Sequence, residues 1–135
     1  MSLFIDTCVL VAARNSADEQ HEKAKEIMRS AILGDHGPIY TSDFILDEAI
    51  TLTLVRTKNP ALALDVGDFV IKSQRITILY VSEHEFNETL ERFRALGDRL
   101  LSFTDVTSLV LMGRHGIDEI ASFDPGFDGL VARCS

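Results

Sequence analysis

Four acidic residues, Asp6, Glu48, Asp105 and Asp124, occupy positions where a charge is either costly or expected to meet a ligand. With a helix begun near Thr104 and turned by about 100° per residue, Val106, Leu109, Val110 and Met112 share an apolar arc, and Asp105 falls between Leu109 and Met112, facing the core. An ionised carboxylate aimed at a low-dielectric interior neutralises, pairs with a cation or binds a metal. No Lys or Arg stands at helical spacing in this segment to pair with it. The conflict recurs between Phe44 and about Thr57, where Val55, Phe44, Leu52 and Ile45 form an apolar arc with Glu48 in its middle. Its neighbour Asp47 falls beside Thr51 and reads as an ordinary solvated or capping acid.

Asp6 and Asp124 are of another kind. Each leaves a short apolar strand, Ser2-Leu3-Phe4-Ile5 or Ile117 to Ser122. In open parallel α/β sheets, ligands bind in the crevice beyond the C-terminal strand ends. Simpler readings coexist with this one: Asp6 as cap of the helix from Thr7 to Arg14, Ser102-x-x-Asp105 as a capping box, and Asp124-Pro125-Gly126 as a turn.

If the acids converge, their charges need compensation, because two unit charges about 4 Å apart repel by roughly 4 kcal/mol at an effective dielectric of about 20. A hard divalent cation supplies it. An all-carboxylate donor set without His or Cys suits Mg²⁺ or Mn²⁺ and not Zn²⁺. Such a metal lowers the pKa of its bound water and offsets charge on a leaving oxygen, so the natural reaction is phosphodiester hydrolysis.

The elements that must position these acids follow the chain in alternation. Ser16-x-x-Glu19 predicts the start of a second helix through His21, Ala24, Ile27, Met28, Ala31 and Ile32, closed by Gly34; His21 receives no chemistry. Pro38 to Thr41 reads as a strand, Ser42-Asp43 starts the Glu48 helix, and Asn59-Pro60 starts an apolar helix through Leu62, Leu64, Val66, Phe69, Val70 and Ile71. Ile76 to Val81 is the clearest strand. Ser82-x-x-Glu85 then opens a charged helix carrying Phe86, Leu90, Phe93 and Leu96, stopped by Gly97. The Asp105 helix is expected to stop at Gly113-Arg114-His115-Gly116. Alternating strands and helices predict an α/β fold with a mostly parallel sheet covered on both faces, and no repeat or linker divides residues 1–135 into more than one domain.

Composition bounds the function. Of 135 residues, 46% are hydrophobic and 25% charged, which excludes disorder. No apolar run reaches the length of a membrane span and the N-terminus lacks the pattern of a signal peptide, so a cytoplasmic protein is expected. Cys8 and Cys134 show neither metal spacing nor a disulfide framework. A net charge of −8 excludes nucleic-acid binding through a broad basic surface, but leaves nucleic acid as a substrate once a metal changes the local sign. Arg14, Arg56, Arg92, Arg94 and Arg99 are available to phosphates, although a solvated helix face explains them more simply.

At Phe4-Ile5-Asp6-Thr7, Thr41-Ser42-Asp43-Phe44-Ile45-Leu46-Asp47-Glu48, Ser102-Phe103-Thr104-Asp105 and Ser122-Phe123-Asp124-Pro125-Gly126-Phe127, the chain resembles a PIN domain. The resemblance is to the small toxin ribonucleases of the VapC type from prokaryotic toxin–antitoxin pairs, and it runs nearly the whole length. It implies a three-layer α/β/α fold with about five parallel strands in the order 3-2-1-4-5. It also implies a Mg²⁺ or Mn²⁺ site of Asp6, Glu48, Asp105 and Asp124 that cleaves RNA, with Thr7 and Thr104 orienting the carboxylates; Asp128 is the alternative to Asp124 as the late carboxylate. A homodimer, using the helix after Asn59, and an antitoxin reaching into the acidic cleft are implied as partners. The alternative on the same fold is a catalytically silent adaptor that binds RNA or protein. A phosphoryl-accepting receiver domain is excluded, because the first strand ends in a single acid and the last lysine is Lys72.

Overall fold

The computed structural model describes residues 1–135. Five parallel strands form one sheet in the order β3-β2-β1-β4-β5: β1 (Leu3–Ile5), β2 (Ile39–Ser42), β3 (Ile76–Leu79), β4 (Glu119–Ala121) and β5 (Ala132–Cys134). Six helices complete a three-layer α/β/α arrangement: α1 (Thr7–Arg14), α2 (His21–Ile32), α3 (Asp43–Thr57), α4 (Pro60–Ile71), α5 (Glu83–Ala95) and α6 (Phe103–His115). The parallel α/β sheet is the one expected from the alternation of strands and helices, and the strand order is the one the resemblance implies. The central strand explains itself, since Leu3, Phe4 and Ile5 are all fully buried and only an uninterrupted apolar run can lie between two helical layers.

Local chemistry sets the helix starts. Ser42 caps α3 by accepting from Ile45 N at 3.1 Å, Asn59 caps α4 ahead of Pro60, and Ser82 with Glu85 closes a capping box on α5. The predicted box at Ser16 and Glu19 does not form. Asn15 and Asp18 instead turn the chain by accepting from Ala17 N and Gln20 N, and α2 begins only at His21. Gly113 does not stop α6, which continues to His115 and ends on Gly116 at φ 65°. β3 ends at Leu79, two residues early, because Val81 N turns away to Asp43 Oδ1.

Two amphipathic readings also change. The apolar arc of α3 was expected to face the core, but its buried face is Ile45, Leu46, Ala49 and Thr53, and Val55 is 64% exposed. On α5 the buried residues are Glu85 and Thr89, while Phe86, Leu90 and Phe93 stay partly exposed. The rings of Phe44, Phe86, Phe93 and Phe103 pack on one another, with centroids 5.2 to 6.4 Å apart. They cover the flank where α3, α5 and the start of α6 meet.

The capping pattern predicts a contrast measurable by urea unfolding. Ser42→Ala lowers stability by about 1 kcal/mol, whereas Ser16→Ala changes it by less than about 0.5 kcal/mol.

Candidate active site

Asp6, Glu48, Asp105 and Asp124 line one cleft of about 220 Å³, together with Thr7, Cys8, Leu52, Arg56 and Ser102. The elements bring them there from separate parts of the chain. Asp6 follows β1 directly. Asp124 follows β4, Glu48 lies in the second turn of α3, and Asp105 lies in the first turn of α6.

Three of the four acids are anchored through one oxygen. Asp6 Oδ2 accepts from Ser122 Oγ at 2.6 Å, and Asp6 makes no capping bond to α1. Its Oδ1 is buried without any partner. Asp105 Oδ2 accepts from Ser102 N at 3.0 Å, while Ser102 Oγ accepts from Asp105 N, so the capping box is real and leaves Oδ1 unused. Asp124 Oδ1 accepts from Gly126 N at 2.8 Å and holds the turn over Pro125–Phe127. Glu48 is half-buried on the cleft wall and is tied to nothing. It does not face the core as the helical wheel suggested, because the arc around it is the cleft side of α3. Asp105 likewise looks into the cleft, being half-buried at the helix start.

Electrostatics binds the group together. Burial pushes the Asp6 carboxyl up to about 6; the Ser122 hydrogen bond opposes this and the charge of Asp105 adds to it. Asp105 is raised chiefly by burial, against its hydrogen bonds to Ser102, with repulsion from Asp124 and Glu48 in the same direction. Asp105 thus feels each of the other acids. No three of them bring carboxylate oxygens within 4.8 Å of one another. The donor chemistry fits a hard divalent cation: oxygen only, with a buried Asp6 Oδ1 that nothing in the protein satisfies.

The orienting hydroxyls differ from those expected. Thr7 Oγ1 is buried without a partner and Thr104 offers its carbonyl to Thr107 and Ser108. Ser122 and Ser102 do this work. Ser122 joins two acids, since its Oγ donates to Asp6 and accepts from Asp124 N at 3.0 Å. It is missed in the sequence because it leaves β4 beside Asp6 only through the pairing of β4 with β1, which is a tertiary fact. Cys8 also lies here, 3.6 Å from Asp6 Oδ2, and burial with the Asp6 charge pushes its thiol up to about 11. Asp128 is outside the cleft, paired with Arg133 at 2.8 Å. Among the arginines, Arg14 is held by Asp65 over the Phe69 ring and Arg99 donates to the Asp128 carbonyl; Arg56 reaches the cleft.

A carboxyl raised from 3.8 to about 6 binds its proton more tightly in the folded state, so it costs stability above pH 6 and nothing below pH 3.8. Asp6→Asn is therefore expected to stabilise the metal-free protein by up to about 3 kcal/mol at pH 8. The gain shrinks through the interval between pH 6 and 3.8. Denaturant unfolding in EDTA at several pH values measures it, and equal stability at pH 8 contradicts the burial argument.

Comparison with known proteins follows the same lines. The PIN domain family model matches residues 3–131. A VapC ribonuclease of Archaeoglobus fulgidus is 28% identical over 128 residues, covering 94% of this chain and 80% of the relative. The crystal structure of Mycobacterium tuberculosis VapC20, a toxin that cleaves the sarcin-ricin loop, superposes with a TM-score of 0.84 at 26% identity, over 95% of this chain and 94% of that one. VapBC2 from Rickettsia felis, bound to a DNA fragment from its promoter, shares the fold with a TM-score of 0.66 at 15% identity, over 99% and 98% of the two chains.

Proposed function

The chain belongs to the PIN domain family, and from that premise we propose that it is a VapC-type toxin: an endoribonuclease that hydrolyses RNA phosphodiesters with Mg²⁺ or Mn²⁺ held by Asp6, Glu48, Asp105 and Asp124. The observation that carries the reading is the buried, unpartnered Oδ1 of Asp6 in a cleft that Glu48, Asp105 and Asp124 also line. A divalent cation bound there supplies an attacking water with a lowered pKa and counter-charge for the phosphate.

The residues of the chain divide the remaining work. Asp6 and Asp105 present ligand oxygens whose partners are already committed to Ser122 and Ser102, so neither carboxylate has to reorganise when it takes up its cation. Asp124 is fixed by its turn. Glu48, free of such ties, is the acid able to adjust as substrate enters. Arg56 stands on the cleft wall as its one cation, placed to hold a phosphate by a bidentate contact. This local charge lets a chain of net charge −8 accept a polyanion.

The partners belong to the same proposal. The likeness to the VapBC2 assembly supports an antitoxin, whose segment would enter the acidic cleft, and a homodimer completes the proposal, with exposed Leu64 and Ile71 on α4 as its apolar face. No helix is long and apolar enough to cross a membrane. With both cysteines free, the cytoplasm is the compartment proposed.

Cleavage of mixed single-stranded and structured RNAs tests the function. Asp6→Asn and Asp105→Asn are expected to lose activity by on the order of 10²-fold or more, and EDTA to abolish it in the wild type. Ser122→Ala weakens the apparent metal affinity by about 10- to 100-fold. Arg56→Ala raises KM by about tenfold with kcat retained, the loss of one exposed phosphate contact. Full cleavage by Asp6→Asn in the presence of EDTA defeats the proposal.

A further inference from the structure

A second cluster of ligand-type side chains lies apart from the acidic cleft. His36, Glu119 and Cys134 each offer a ligand atom, and the three atoms lie within 4.8 Å of one another. Their meeting follows from the sheet. Glu119 opens β4 and Cys134 sits on β5 opposite Ala121, so the two-residue period puts Glu119, Ala121 and Cys134 on one face. His36 comes from the turn before β2. Gly37 there has φ 75°, and a Cβ on it would collide with the Met1 carbonyl, so this turn is pressed against the start of β1, the strand between β2 and β4. His36 Nδ1 consequently lies 3.1 Å from Glu119 Oε1, and all three side chains are half-buried.

The donor set is nitrogen, sulfur and oxygen, unlike the all-oxygen cleft. Imidazole and thiolate select a borderline-soft cation and disfavour Mg²⁺. We infer that His36, Glu119 and Cys134 form a Zn²⁺ site with three protein ligands and one open position. Zinc bonds of roughly 2.0 to 2.3 Å put tetrahedral ligand atoms roughly 3.3 to 3.8 Å apart. The His36–Glu119 pair at 3.1 Å is already near that spacing, and the thiol has about 1 Å at most to close. On binding, the imidazole–carboxylate contact is exchanged for two bonds to the metal, and the Cys134 thiol gives its proton to solvent as the sulfur–zinc bond forms.

The site would clip a three-residue edge strand to its neighbour and to the turn before β2, across the width of β1. It also reaches the acids through the backbone. The Cys134 carbonyl accepts from Ser122 N at 3.0 Å, and Ser122 Oγ holds Asp6 at 2.6 Å. The spacing of Cys8 and Cys134 in the sequence gave no hint of this, because the ligands come from three separate segments.

Titration of the EDTA-stripped, dialysed protein with Co²⁺, followed by Zn²⁺, tests the site. The wild type is expected to develop a thiolate-to-cobalt charge-transfer absorption that one equivalent of Zn²⁺ removes. Zn²⁺ at a hundredfold excess over Kd is expected to raise Tm by about 10 °C. Cys134→Ser and His36→Ala lose both signals, while their melting in EDTA stays that of the wild type. Cys8→Ser, which removes the thiol beside the acids, keeps both. No thiolate absorption in the wild type, or its persistence in Cys134→Ser, overturns the proposal and leaves a hydrogen-bonded His–Glu pair beside a bystander thiol.

Discussion

Burial of Asp6 at the exit of the central strand is the constraint from which the rest of the site follows. β1 is closed on both faces by helices, so the first side chain beyond it emerges largely shielded from water, and a carboxylate there is pushed up to about 6 by that burial. Asp105 adds like charge, Glu48 and Asp124 repel Asp105 in turn, and the Ser122 hydrogen bond relieves only part of the cost. A fold that tolerates this arrangement without a counter-charge spends stability on it. Under the function proposed here, a divalent cation among these acids would turn that cost into binding energy.

The structure limits how far the acids can escape that cost. Ser122, Ser102 and the turn at Gly126 each hold one oxygen of a carboxylate and leave the other without a protein partner. The capping box on α6 therefore does two jobs with one residue: it starts the helix, and it fixes Asp105 at the mouth of the cleft. Helix starts and strand ends meet on the same side of the sheet in this topology, so the devices that terminate secondary structure are also those that aim the acids into the cleft.

Much of this was legible in the sequence, and the limits were physical. The apolar run Leu3–Ile5 followed by Asp6, and the recurrence of that pattern at Asp124, located two acids without any knowledge of the fold. Asp105 and Glu48 were found because they interrupt apolar arcs, although the arcs proved to be cleft walls and not core. A helical wheel reports which residues share a face and not what that face meets. The same limit explains α5, where Phe86, Leu90 and Phe93 pack partly outward and Glu85 and Thr89 inward. Ser122 and the His36, Glu119 and Cys134 cluster were invisible for a different reason: their partners are over 80 residues away or on other strands, and only the sheet register joins them. The short strand β5 entered through family resemblance, since Ala132–Cys134 carries too few residues for a periodic signal.

The most direct test of the account is a crystal structure of the protein grown with Mn²⁺, read by anomalous scattering at the manganese edge. The account predicts a peak in the acidic cleft within bonding distance of Asp6 Oδ1 and of an Asp105 oxygen, with the Ser122 and Ser102 hydrogen bonds kept. A cleft without manganese at millimolar concentrations, with Asp6 Oδ1 paired to a protein group, would contradict it.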